Sequence, residues 1–235
     1  MGFSCEVKYQ LSRRLFLDKF PDGDLFDFRR LLLTPSYGQR SFERRLFDWQ
    51  ITPFAGVIDY VEHDFQGVFE REDLFVELGE VAHRRHGMRY PHDFHGEGQG
   101  IDEAVIDRQY PAARQKFEHL ARKFRLMLEQ PGPFLYVARV TPTREDAVRL
   151  RRRLQGAHPQ HRFELLFLGW EEDAQPPDLD GVAHWSWLTL DSDKGSGREW
   201  EGNDAAWDEA LRPWPLMAHG GDRIRPRFED DHETA

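Results

Sequence analysis

Residues 134–170 read FLYVARVTPTREDAVRLRRRLQGAHPQHRFELLFLGW, and this stretch decides the predicted fold. It begins and ends with a short, nearly continuous apolar run, which is typical of a strand covered on both faces. Between the runs, Thr143 and Asp146 are placed as in a helix capping box, and Gly156 is placed as a helix stop. A strand, a helix and a strand in this order predict a βαβ unit, whose two strands are parallel neighbours with a right-handed crossover.

The residues after this unit extend the same pattern. Residues 182–190 (VAHWSWLTL) predict a further strand, and residues 203–214 (NDAAWDEALRPW) predict a final short helix. We therefore expect an α/β fold, with three layers and a mostly parallel sheet flanked by helices. The alternative is an α+β, papain-like arrangement.

The first half of the chain predicts mainly helices. The first should run from about Cys5 to Phe16, because Val7, Leu11 and Leu15 recur at helical spacing. A second should begin at Thr52, which suits the N-cap, with Pro53 at the first helical position.

The middle of the chain combines a hairpin, a loop and a long helix. Residues 79–94 alternate loosely and turn at His86 and Gly87, which favours a hairpin or two short extended pieces. Residues 98–111 indicate a loop with one helical turn. The strongest helical pattern covers residues 112–130, and Pro131 and Gly132 end it.

Composition excludes several classes of protein. The chain has 235 residues and a net charge of −10, which argues against a nucleic-acid partner, because phosphate binding depends on clustered Lys and Arg. It has one cysteine, so it forms no internal disulfide. No apolar stretch is long enough for a membrane span, and no signal peptide is evident, so we expect a cytoplasmic protein. Residues 1–220 are predicted to form one domain, followed by a polar, flexible tail over residues 221–235.

The single cysteine, Cys5, lies at the start of the first predicted helix. A helix N-terminus stabilises a thiolate and so lowers the pKa of a thiol, which would make Cys5 a nucleophile. The neighbouring Glu6 acts in the opposite direction. The alternative is that Cys5 is a small apolar residue that packs in the interior.

Several separated motifs match one known family in order. That family opens with a strand and a Cys that begins a helix, which residues 2–11 (GFSCEVKYQL) match, although only three residues precede Ser4. The further matching residues, in chain order, are Phe47, Asp48, Trp49, Pro53, Phe54, His92, Asp93, Phe94, Lys116, Arg122, Arg125, Arg139, Trp200 and Trp207. Over nearly its whole length the chain resembles the papain-like cysteine peptidases catalogued as domain of unknown function 1796.

This resemblance implies a catalytic set. Cys5 would be the nucleophile, His92 the residue that accepts its proton, and Asp48 the residue that orients the imidazole. Without the resemblance, His92 could equally be a structural residue of a turn, and Asp48 a charge that favours the helix after it. The matching Trp49 and Asp93 would bind substrate.

Arg139 is a further candidate for substrate binding. It follows a predicted buried strand, and ligands bind at the carboxyl ends of strands in open α/β sheets. An arginine there could bind a carboxylate or a phosphate. The alternative is a salt bridge to an acidic residue of the same domain.

A metal site is not predicted. His92, His95 and Glu97 lie in one short stretch, but their spacing is not a standard zinc spacing and no pair of cysteines supports it. The glycine-rich residues 96–100 fit neither the dinucleotide nor the P-loop pattern, so we expect a mobile loop beside His92 and no cofactor.

Three functions remain open from the sequence alone. The favoured one is a cysteine-dependent hydrolase, peptidase or acyl-transfer enzyme that acts on a small-molecule or peptide substrate. The second is a transferase acting on a nucleotide or phosphorylated sugar, with Cys5 structural. The third is a non-catalytic binding domain. The sequence carries no signal for the oligomeric state.

Overall fold

A computed structural model describes residues 5–21, 23–24, 26, 28–29, 44–48, 50–96, 100–157, 159–170, 175–188 and 201–216. The helices are α1 (Cys5–Lys19), α2 (Phe54–Glu62), α3 (Glu103–Leu128), α4 (Arg144–Ala157) and α5 (Asp204–Leu211). The strands are β1 (Leu74–Glu77), β2 (Glu80–His83), β3 (Phe134–Arg139), β4 (Phe163–Trp170) and β5 (His184–Leu188). The predicted tail, residues 221–235, lies outside the described residues.

The predicted βαβ unit is confirmed. Strands β3, β4 and β5 form a parallel sheet in that order, and α4 connects β3 to β4. Phe134 lies opposite Phe163, and Leu166 lies opposite His184. Strands β1 and β2 form a separate antiparallel pair. The chain is therefore a mixed α and β protein with a parallel sheet, in keeping with the predicted α/β class.

Both faces of the parallel sheet are covered. Tyr136 and Phe167 belong to a large core that also contains the buried faces of α2, α3 and α4. Val137 and Leu166, the adjacent residues on each strand, belong to a second core formed with α1 and α5. Because successive side chains of a strand point to opposite faces, this alternation shows why both strands read as continuous apolar runs.

Helix α3 is longer than the sequence predicted. It begins at Glu103, where the side chain of Asp102 accepts a hydrogen bond from the Val105 amide, and it continues through Pro111. The prediction of a loop with one helical turn before Pro111 was therefore wrong. Proline removes one helical hydrogen bond, but Val105 before it and Phe117 after it both face the core, and that burial favours one continuous helix.

Two other local predictions are adjusted by the structure. Helix α2 is capped at Pro53 rather than at Thr52, whose buried hydroxyl has no hydrogen-bond partner among the described residues. The hairpin turn near Gly87 is present, since the amide of His83 bonds the Met88 carbonyl, but β2 also pairs with the preceding strand β1. Strand β1 was not predicted from the sequence.

Candidate functional site

The structure brings Cys5 and His92 together. The Sγ atom of Cys5 lies 3.3 Å from Nε2 of His92, although 87 positions separate the two residues in the chain. Cys5 is the first residue of α1 and is partly exposed. The predicted nucleophile and the predicted base are therefore in hydrogen-bond contact, which is the geometry that nucleophilic catalysis by cysteine needs.

Two buried aromatic residues hold His92 in place. Tyr90 and Phe94 are each almost fully buried, and His92 lies in the turn between them. The amide of Tyr90 bonds the carbonyl of Val81 in β2, and the Tyr90 hydroxyl lies 3.0 Å from that of Tyr60. The hairpin and the large core thus anchor the turn that carries His92.

Helix α1 is held by a buried polar interface with α5. The guanidinium of Arg13 lies 2.6 Å from the Asp208 carboxylate, and the Gln10 amide donates to the Glu201 carbonyl and to Asp204. This explains why Gln10 and Arg13 are buried on a helix that the sequence predicted from its apolar residues alone. The last described helix therefore positions the helix that carries Cys5.

The expectation of an ionised thiol is wrong for this resting structure. Burial raises the pKa of Cys5, and this effect outweighs the opposing effects of its own backbone amide and of Arg44. Burial also lowers the pKa of His92, and the charge of Arg44 lowers it further. The pair is thus a neutral thiol beside a neutral imidazole at pH 7, because desolvation disfavours the charged form of both groups.

Asp48 lies near the pair but is bound to other groups. Its Oδ2 atom is 3.2 Å from Nζ of Lys8 and accepts a hydrogen bond of 2.9 Å from the Arg45 amide. Burial alone would raise the pKa of Asp48, yet Lys8 and the Arg45 amide lower it overall. The partners of Asp48 in these contacts belong to α1 and to the turn that contains Asp48 itself. Its role as the residue that orients His92 stays a prediction.

Arg139 is engaged inside the domain. Its Nη1 donates to Oε2 of Glu6, its guanidinium lies 4.6 Å from the ring centroid of Trp170, and Trp207 Nε1 donates to Oε1 of Glu6 at 2.8 Å. The alternative of a salt bridge to a domain acid is therefore present in the structure. It also pairs the charge of Glu6, which reduces the influence of that carboxylate on the adjacent Cys5. Substrate binding by Arg139 stays a prediction.

Asp93 lies between two cations. Its Oδ1 atom is 2.5 Å from Nζ of Lys116 and 3.2 Å from Nη2 of Arg44. Asp93 and Lys116 also line a small gap with room for about one water molecule, together with Gln50 and the apolar residues Phe69, Ala113, Phe117 and Leu120. Asp93 follows His92 directly, so it lies beside the pair. Substrate binding by Asp93 stays a prediction.

Two of the predicted site features fall outside the described residues. They are Trp49 and residues 97–99, which include Glu97 and most of the glycine-rich loop. Within the part of the chain that the structure describes, no group of three His, Cys, Asp or Glu side chains is arranged to hold a metal ion. No helix in that part is both long enough and apolar enough to cross a membrane.

Two residues of the site were not predicted from the sequence. Lys8 lies three positions after Cys5, and this spacing places both on one face of α1, which is a signal that the sequence contains. Arg44 lies far from both Cys5 and His92 in the sequence, and no motif distinguishes it from the other arginines. Only the tertiary structure identifies it.

Comparisons with known proteins add no relative. The chain matches no family model, no curated protein and no solved structure. The resemblance to papain-like cysteine peptidases therefore stays a prediction that depends on its motifs.

Proposed function

We propose that this protein is a cysteine-dependent hydrolase or acyl-transfer enzyme with Cys5 as nucleophile and His92 as general base and acid. One observation carries the proposal, namely the contact of 3.3 Å between Cys5 Sγ and His92 Nε2. The contact supports this function because it joins two chemically complementary groups from distant parts of the chain, on a partly exposed helix start.

In the first half of the proposed reaction, the Cys5 thiol donates its hydrogen to Nε2 of His92. As Sγ attacks the substrate carbonyl carbon, the C–S bond forms and the thiol proton moves to Nε2. The carbonyl electron pair moves onto oxygen, and amide N–H groups of the first turn of α1 are suited to stabilise that oxyanion. When the carbonyl re-forms, the leaving group departs with the proton that His92 returns to it, and Cys5 holds the acyl group as a thioester.

In the second half, His92 accepts a proton from water, and the oxygen attacks the thioester carbonyl. Collapse of this second intermediate breaks the C–S bond, releases a carboxylic acid and returns the proton to sulfur. An alcohol or amine in place of water would make the same site an acyl-transferase. The lowered pKa of His92 favours the neutral imidazole at pH 7, which is the form that accepts protons.

A neutral resting pair distinguishes this proposal from a preformed thiolate and imidazolium. The proton must move as the sulfur attacks, so the reactivity of Cys5 depends on His92 during the reaction rather than before it. The site is expected to be slow toward simple alkylating agents at neutral pH.

We also propose the finer description of the fold, a three-layer α/β domain. The alternation of residues between the two cores supports it, since α2, α3 and α4 share one core with the sheet while α1 and α5 share the other. The cytoplasm remains the proposed location, because free thiols persist there. The transferase alternative rested on a basic helix, Arg139 and a parallel sheet. The sheet is present, but Arg139 is bound to Glu6, which weakens that part of the alternative.

The test uses an activated ester, 4-nitrophenyl acetate, with intact-mass spectrometry. We expect one acetyl group on Cys5 of the wild-type protein and none on the Cys5→Ala variant. The His92→Asn variant should acylate and deacylate at least about a hundredfold more slowly, as is typical for loss of a general base. The exposed His63 is a matched control, and His63→Asn should behave like the wild type.

Unchanged ester turnover by Cys5→Ala would exclude the covalent mechanism. Thermal stabilisation by nucleotide sugars would then select the transferase. If nucleotide sugars gave no thermal stabilisation, the remaining alternative would be a non-catalytic binding domain.

A further inference from the structure

The charges around Asp93 do not cancel. Asp93 follows His92 directly and its side chain is buried, and one of its oxygens contacts both Lys116 Nζ and Arg44 Nη2, at 2.5 Å and 3.2 Å. One carboxylate therefore faces two cations. The cluster carries one unit of positive charge in excess, immediately beside the proposed base.

Arg44 extends this excess charge to the reacting groups. Its Nη2 atom contacts Asp93, the residue that follows His92, and its charge lowers the pKa of both Cys5 and His92. The Nε atom of Arg44 is buried and has no hydrogen-bond partner among the described residues. Lys123 donates a hydrogen bond of 3.0 Å to the Arg44 carbonyl, which ties this segment to α3.

Among the residues that the structure describes, the other charges near the pair leave this excess in place. Asp48 forms an ion pair with Lys8, so these two contribute no net charge. Glu80 affects the pKa of Cys5 less than Arg44 or Asp48 does. His95 affects the pKa of His92 less than Arg44 or Asp93 does. The chain as a whole carries a net charge of −10, so an anionic substrate is attracted to a locally positive site and repelled by most of the remaining surface.

The gap beside Asp93 sets no substrate size. It is lined in part by Gln50, Lys116 and Phe117 and has room for about one water molecule, so it does not hold an acyl group. The charge of the cluster, rather than a pocket, therefore carries the inference.

We propose that the site favours acyl substrates that carry a carboxylate next to the carbonyl that Cys5 attacks, with Arg44 and Lys116 as the groups that recognise the carboxylate. The inference rests on the proposed function, because it assumes that Cys5 is the nucleophile. A single excess charge matches a carboxylate rather than a doubly charged phosphate, and a planar guanidinium is suited to carboxylate oxygens.

Two alkylating reagents of nearly equal size test the inference. Iodoacetate carries a carboxylate next to its reacting carbon, and iodoacetamide carries a neutral amide there. Cys5 is the only cysteine, so the rate of labelling by each reagent reports this site alone. The measured quantity is the ratio of the iodoacetate rate to the iodoacetamide rate, with the neutral thiol N-acetylcysteine amide as the reference.

We expect the ratio for the protein to exceed the reference about fivefold at low ionic strength, as one favourable unit charge at short range implies. High salt should reduce it toward the reference. Arg44→Gln should lower the ratio about fivefold. It also alters the pKa of Cys5, but that change affects both reagents equally and cancels in the ratio.

Lys116→Gln removes one positive charge from the other side of Asp93 and should lower the ratio of the iodoacetate rate to the iodoacetamide rate by a similar factor. This second variant tests the inference if Arg44→Gln does not fold. Arg44→Lys should preserve the ratio. Arg152→Gln is the matched control, because Arg152 is exposed on α4, and it should leave the ratio unchanged.

Two results would overturn the inference. One is a wild-type ratio at or below the reference. The other is a ratio that is the same in the wild type and in the folded Arg44→Gln and Lys116→Gln variants. The proposed function is judged separately, by the acetylation of Cys5 and its dependence on His92. Acetylation without charge preference would leave an enzyme with a different substrate.

Discussion

Arg139 at the end of β3 donates a hydrogen bond to Glu6, the residue that follows the proposed nucleophile. Glu6 is almost fully buried, and Trp207 of α5 donates to its second oxygen. The ion pair therefore joins the sheet, α1 and α5 at one point. It fixes the start of α1 and, with it, the position of Cys5.

Gly202 provides the space for this ion pair. Its φ of +77° lies in the left-handed region, and a Cβ atom there would lie 2.4 Å from Oε1 of Glu6. We expect Gly202→Ala to lower the free energy of unfolding by about 2 kcal/mol, from backbone strain and displacement of Glu6. Urea denaturation measures this. Gly156→Ala in α4 meets no atom within 4 Å and should instead stabilise by about 0.5–1 kcal/mol.

The contact of Arg13 with α5 should contribute strongly to stability. The Arg13 side chain is 3% exposed, so Arg13→Met leaves Asp208 and Asp204 without their main cation and should cost about 3 kcal/mol. The adjacent Arg14 is 29% exposed and pairs mainly with Asp18 on its own helix, so Arg14→Met should cost less than about 1 kcal/mol. Equal losses in the two variants would contradict a role for the α1–α5 interface.

The ion pair of Lys8 and Asp48 should behave as a coupled unit. Both side chains are about nine-tenths buried, so Lys8→Met leaves an unpaired carboxylate and should destabilise by about 3 kcal/mol. The double variant with Asp48→Asn should lose less than the sum of the two single variants. Additive losses would mean that Asp48 depends on another group. The same Asp48→Asn protein, tested for acetylation, decides whether Asp48 also orients His92.

The raised pKa of Cys5 predicts how its labelling depends on pH. The thiolate is the reactive form, and its fraction rises tenfold per pH unit below the pKa. We therefore expect the iodoacetamide rate to increase continuously from pH 6 to pH 9 without a plateau at the acidic end. Fast labelling that is constant between pH 6 and pH 7 would show a preformed thiolate, contrary to the burial of Cys5.

Stability should fall as the pH falls from 7 to 5, because of His83. Burial and the stacked ring of His86, 4.6 Å away, lower the pKa of His83 to about 4, despite the nearby Asp73. The unfolded chain, with an ordinary imidazole, binds more protons below about pH 6.5, so the loss begins there and is complete near pH 4. For His83 alone it amounts to about 2 kcal/mol between pH 7 and pH 5.

Comparison with His83→Gln isolates this contribution. The variant should be less stable than the wild type at pH 7 but should lose less stability on acidification. His63→Gln, at an exposed position, should retain the wild-type pH dependence. A wild-type slope in His83→Gln would assign the acid sensitivity to other groups.

Local sequence determined the elements and much of the sheet. The apolar runs at β3 and β4 and the capped helix between them predicted a parallel pair, because a strand covered on both faces needs apolar residues at every position. The same reasoning located α1 and α5. It failed before Pro111, where burial against the core outweighed the helix-breaking tendency of proline.

The motifs also indicated the candidate site residues, but only the tertiary structure decided what they contact. Cys5 and His92 meet because the hairpin, the aromatic core and α5 place them together, and no local pattern specifies a distance across 87 positions. The same packing partly buries the thiol, and this burial raises its pKa, which is the reverse of the expected shift. The helix dipole is a property of the local sequence, whereas desolvation depends on every element that covers the site.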